Sequence, residues 1–181
     1  MSRYALIGVS VALVLLAGSL VPTQARRADA EPKVPDGIKV PDGHKLLFKR
    51  EAEGVQIYVS REGPTDAPAW FFKAPLADLF EKGKRAGYHY GGPTWESLEG
   101  GKVVHDDSDK IVSVPAPNPK EDIPWLRIKV KADPRGNFSK VTYILRMETK
   151  GGVAPARAPE RLGTEVGVKY KAVYYFYGKA E

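Results

Sequence analysis

Apolar and polar residues alternate along most of this chain with a period of two, the mark of strands that bury one face. Residues 46–50 and 55–61 read as two short strands joined by a turn at Glu51, Ala52, Glu53 and Gly54. Another strand covers 70–72 and closes at Pro75. Leu79 and Phe80 on one side and residues 88–90 on the other flank a turn at 81–84, with a short helix over 76–82 as the alternative. Residues 102–105 and 111–114 flank the acidic turn 106–109. Pro115, Pro117, Pro119 and Pro124 then stiffen an extended connection.

The clearest hairpin follows. Leu126, Ile128 and Val130 alternate with Arg127, Lys129 and Lys131, a turn occupies 133–137, and Val141, Tyr143, Leu145 and Met147 continue the apolar face. The same parity puts Lys140, Thr142, Ile144 and Arg146 beside the cations. In a last strand over 166–177, Val166, Val168, Tyr170, Ala172, Tyr174 and Phe176 share one face. Val173, Tyr175 and Tyr177 make its far half apolar on both sides. No segment keeps a helical stripe for three turns, and 15 prolines and 18 glycines punctuate the strands. The prediction is an all-β, mostly antiparallel single domain, either a β-sandwich or a barrel-like fold, with little or no helix after the N-terminal segment.

That N-terminal segment departs from the pattern. Arg3 precedes an almost unbroken apolar run over 5–21. Small residues then stand at cleavage-like positions, Thr23-Gln24-Ala25 and Ala28-Asp29-Ala30. This order predicts a signal peptide over 1–25, with cleavage after Ala25 or alternatively after Ala30. The run has about 17 apolar residues, the lower edge of what spans a bilayer, so a retained anchor is the alternative. With the segment removed, no membrane span is expected. Residues 26–43 read as a Pro/Gly-rich leader in which Pro-Asp-Gly occurs twice, and 44–181 as one β domain. The expected location is outside the cell, in the periplasm or in the envelope.

The charge is +6 over 181 residues, and the expected cleavage after Ala25 removes only Arg3 among the charged groups. A basic exported protein meets anionic surfaces, so the partner class is an anionic cell-surface polymer or glycan. Nucleic acid is not expected, because export separates the two. The chain has no cysteine, which excludes thiol nucleophiles, thiolate metal sites and redox motifs.

Two groups of residues are candidate ligand sites. His89, Tyr90, Trp95 and Glu96 crowd around Gly91-Gly92-Pro93, where aromatics beside a fixed turn suit a flat or sugar ligand and a His–carboxylate pair suits proton transfer. The other reading of this cluster is a structural corner filled by aromatic rings. The second candidate is a polyanion-binding face made of Arg127, Lys129, Lys131, Lys140 and Arg146, against the plainer reading of a solvated sheet face. No metal site is expected. His44, His89 and His105 lack ligand spacing, and Asp106, Asp107 and Asp109 lack the spacing of a calcium loop. No cofactor is expected, since no Gly-x-Gly-x-x-Gly follows a strand, and no Gly-x-Ser-x-Gly marks a hydrolase serine.

Five boxes stand in order along the chain. They are Gly54 to Tyr58, Gly87 to Gly101 (Gly-Tyr-His-Tyr-Gly-Gly-Pro-Thr-Trp-Glu-Ser-Leu-Glu-Gly-Gly), Ile123 to Leu126, Val141 to Arg146 with Thr149-Lys150-Gly151-Gly152 and Ala154-Pro155, and Tyr170 to Tyr177. In this order they resemble the secreted bacterial and fungal family known as domain of unknown function 3455, over about residues 35–178. The resemblance implies a secreted, β-rich single domain with no established activity. Members often have cysteine where Val59 stands and another near Ala158. This chain has neither, so no disulfide carries over. The favoured reading is a secreted, non-catalytic binding module. The alternatives are an enzyme of unassigned chemistry built on His89 and Glu96, and a structural secreted protein without a small ligand.

Overall fold

A computed structural model describes residues 31–180. The expected signal peptide, with Ala25 and Ala30 at which cleavage is expected, lies outside the described residues. The strands are β1 (His44–Glu62), β2 (Pro68–Glu81), β3 (Lys84–Tyr90), β4 (Thr94–Ser97), β5 (Lys102–His105), β6 (Val112–Val114), β7 (Trp125–Ala132), β8 (Tyr143–Gly151) and β9 (Glu165–Lys179). They form one antiparallel sheet in the order β5-β4-β3-β2-β1-β9-β8-β7-β6. β5 also pairs with β7, Val103 opposite Ala132 and His105 opposite Val130. The sheet therefore returns on itself as a barrel-like ring, and β6 lies against the other half of β7. The all-β expectation holds, in its barrel-like form.

Small residues let the ring curl. Ala52, Gly54, Ala77 and Ala172 follow one another across β2, β1 and β9. A Cβ on Gly54 would stand 2.2 Å from the Leu76 carbonyl oxygen and 2.5 Å from the Ala77 Cα. No side chain fits there without moving backbone.

The expected turn at 51–54 does not exist, because β1 runs straight through it. Glu51 and Glu53 are exposed while Ala52 is buried, so a polar-looking stretch is a strand whose inward residues are small. β2 likewise continues through Pro75 rather than closing there, with a register shift between Ile57 and Tyr58 of β1. The turn expected at 81–84 joins β2 to β3, and the alternative helix over 76–82 is strand. β5 and β6, expected to flank a common turn, both pair with β7 and not with each other.

The interior of the ring is filled by Trp95, Tyr174, Phe176, Leu79, Ile144, Val103 and their neighbours. Phe138, from the β7–β8 connection, stacks on Phe48 and Phe176 at ring-centroid distances of 5.6 and 5.1 Å. A second core lies on the outside of the sheet. There the leader forms a single 3-10 turn, Asp36–Ile38. Ile38 is fully buried, and with Val34 and Val40 it covers Leu145, Met147, Tyr175 and Tyr177, beside Val112 and Val114 of β6. β9 is thus covered on both faces over its far half, as its sequence predicts.

Candidate functional site

The β3–β4 hairpin sorts the first candidate by alternation. Tyr88 is opposite Glu96, His89 opposite Trp95 and Tyr90 opposite Thr94. His89 and Trp95 therefore point into the ring, where they are 3% and 0% exposed. Tyr90 and Glu96 point outward, and the Tyr90 hydroxyl donates to Glu96 Oε2 at 2.7 Å. That bond, more than burial, holds the Tyr90 phenol above its usual pKa. The structure brings His89 to Trp95 and Tyr90 to Glu96, and it separates His89 from Glu96. A shared proton between those two has no path through the strand.

His89 is held on three sides. Its ring stacks on Trp95 at 4.3 Å and meets Tyr174 edge-on at 5.0 Å. Nδ1 lies 2.8 Å from the Thr94 carbonyl oxygen. A carbonyl only accepts, so Nδ1 carries the proton and the ring is a neutral donor. Burial lowers its pKa to about 3. The Thr94 bond opposes that shift and the Arg146 charge adds to it. The Trp95 indole Nε1 has no hydrogen-bond acceptor among the described residues. Together these groups fill the closed interior that the structural-corner reading describes.

Arg146 does not stand beside Arg127. The register puts Arg146 opposite Leu126 and Tyr174, and Leu145 opposite Arg127. Arg146 is buried inside the ring. Its Nε and Nη2 donate to the Pro124 carbonyl at 3.2 and 2.8 Å. Its charge opposes the rise that burial imposes on the Tyr170 and Tyr174 phenols, whose oxygens lie 3.4 Å apart. The parity argument fails because β8 is apolar on both faces. Tyr143, Leu145 and Met147 belong to the outer core under the leader, while Ile144 belongs to the inner one.

Arg127, Lys129 and Lys131 do share the outer face of β7, and Lys140 lies exposed in the connection before β8. Arg127 Nη1 donates to the Lys39 carbonyl at 2.6 Å. Asp106 sits between the two lysines, 2.8 Å from Lys131 Nζ and 3.6 Å from Lys129 Nζ. The Lys131 ammonium, helped by Ser108, holds the Asp106 carboxyl well below the usual range. Asp107 also stands near enough to act on Lys131, so three cations face two carboxylates and the row keeps a small positive excess. The side chains of Lys129 and Lys131 remain 42% and 64% exposed.

Sequence reasoning missed a second basic feature. A groove of about 700 Å³ opens beside β1, β8 and β9 and carries Lys150, Lys169 and Lys171. The signal was present, because Lys169 and Lys171 alternate with inward Tyr170 and Ala172 in the same way as the β7 cations. Lys150 was out of reach of that reading, because the register shift between Met147 and Lys150 changes its position against β9. His44 Nδ1 donates to the Pro41 carbonyl and His105 Nε2 to that of Asp109, each at 2.9 Å. Among the described residues no three His, Asp or Glu side chains gather as a metal site, and no helix is long and apolar enough to cross a membrane.

No curated protein and no solved structure matches this chain. The family model described as "Protein of unknown function (DUF3455)" matches residues 41–178, a span that takes in all nine strands but the last residue of β9, and the chain belongs to that family.

Proposed function

We propose that this protein is an exported, non-catalytic binding module that holds an anionic polymer or glycan at the cell surface or in the envelope. The observation that carries the reading is the outward row of Arg127, Lys129 and Lys131 on one rigid strand, in which Asp106 bonds the two lysines and Asp107 stands near Lys131. Clustered cations on a sheet face raise the local concentration of polyanions and recognise them through charge. The separation of His89 from Glu96 across the sheet gives no support to the acid–base alternative. The filled interior suits a structural role equally well, so polyanion retention is what separates the two.

Retention of the protein on an immobilised anionic polysaccharide across a salt series checks this reading. Retention is expected to fall as salt rises, and to fall further in Lys129→Glu. Retention indifferent to both removes the proposal. The export half is checked by the N-terminal residue of protein recovered from the envelope or medium, expected at Arg26 or Glu31.

A further inference from the structure

We propose that the groove beside β1, β8 and β9 is a binding site for a linear uronate polysaccharide, an inference that rests on the polyanion reading above. Lys169 and Lys171 project from one face of β9, about 6.8 Å apart along the strand. Lys171 stands between Glu53 of β1 and Lys150 of β8 in the register. The three ammonium groups thus lie along and across the groove rather than at one point.

Their counterions are few. Lys171 bonds Glu53 at 2.7 Å, and Lys150 bonds the buried Asp122 at 3.3 Å. No carboxylate pairs with Lys169 among the described residues. Asp122 is already engaged, because its Oδ1 accepts the Gly151 backbone N–H at 2.7 Å. The Lys150 and Lys171 side chains stay 73% and 66% exposed despite these pairs. The Lys171–Glu53 pair, exposed on both sides, is worth little and exchanges readily for a ligand carboxylate, whereas Lys150 stays near the buried Asp122 and offers its remaining N–H donors.

The rest of the lining decides between anionic polymers. Val55 and the bare backbone of Gly54 and Gly151 are apolar or small, and the lysine stems add methylene surface. A pyranose ring offers an apolar C–H face to such a lining while its carboxylate reaches an ammonium. A polyphosphate chain offers no apolar face.

Affinity electrophoresis of the full-length protein through gels holding polygalacturonate, neutral dextran or polyphosphate tests the site. The expected result is retardation by polygalacturonate, little by dextran, and affinity reduced about tenfold in the triple variant Lys150→Ala, Lys169→Ala, Lys171→Ala. All three positions are exposed, and an unchanged far-UV spectrum and Tm confirm that the variant folds. Polygalacturonate binding that survives the triple variant but is lost in Lys129→Glu overturns the groove and leaves the β7 face standing. Equal or stronger retardation by polyphosphate overturns the uronate assignment. Absence of retardation by any polyanion overturns the groove together with the broader reading.

Discussion

His89 shows what one buried residue does to the whole protein's response to acid. Its folded pKa is about 3, against 6.5 for a free imidazole. Between those values the unfolded chain binds a proton that the folded chain refuses, so stability is lost as pH falls through that window and is intact above it. The full shift corresponds to roughly 4–5 kcal/mol. Urea denaturation between pH 5.5 and 4.5, above most carboxylate titration, is expected to show stability falling by about 1.4 kcal/mol per pH unit. His89→Gln, which keeps a donor for the Thr94 carbonyl, is expected to flatten that slope even if it lowers stability at pH 7. Equal slopes in the two proteins would refute the assignment. Alternation separates His89 from Tyr90, but the turn at 91–93 breaks the period, so it takes the register to put Trp95 with His89 and Glu96 with Tyr90. Which side is the interior is not legible in the sequence, since Tyr88, Tyr90 and Trp95 are all large and aromatic.

At the scale of elements, the hardest strand to read is β2, and Pro75 is the reason. A proline lacks the N–H a ladder needs, which makes it look like a strand end. β3 pairs with β2 only from Ala77 to Glu81, so the stretch from Pro68 to Leu76 has β1 on one side and an open edge on the other. A strand tolerates proline where its nitrogen faces such an edge. Phe71, Phe72 and Leu76 are exposed on that same stretch, which makes the missing donor protective. Pro75→Val supplies the N–H and a β-branched side chain. Light scattering after gel filtration is expected to give this variant a larger apparent mass than its parent at equal concentration. Identical masses at every concentration would show that the edge is guarded by something else, such as the shift near Tyr58 or the Lys73–Glu165 ion pair at 2.5 Å. The misreading of residues 51–54 has the opposite cause. Glu51, Ala52, Glu53 and Gly54 alternate faithfully, but the inward residues are too small to register as apolar.

For the whole molecule, the leader decides how the sheet can carry two cores. The outer faces of β8 and β9 present Leu145, Met147, Tyr175 and Tyr177, all almost fully buried although they lie outside the ring. Without the leader this surface would be a contiguous apolar patch of the kind folded monomers avoid. The sequence marks the strand side of this arrangement, since β9 is apolar on both faces. It does not mark the cover, because prolines and Pro-Asp-Gly turns read as a linker. Burying an aliphatic side chain is worth roughly 1.5–3 kcal/mol, so Ile38 with Val34 and Val40 contributes about 3–5 kcal/mol, a large part of the 5–15 kcal/mol typical of a domain. Both expected cleavage points, after Ala25 and after Ala30, precede Val34 and keep the cover. A chain starting at Glu31 is therefore expected to match a chain starting at Arg26 in Tm. One starting at His44 is expected to bind a hydrophobic dye and melt at least about 6 °C lower, since about 1 kcal/mol shifts Tm by 2–8 °C over this size range. Equal melting of the His44 chain without dye binding would mean that the outer tyrosines and Met147 need no cover, and that the leader is the linker its composition suggests.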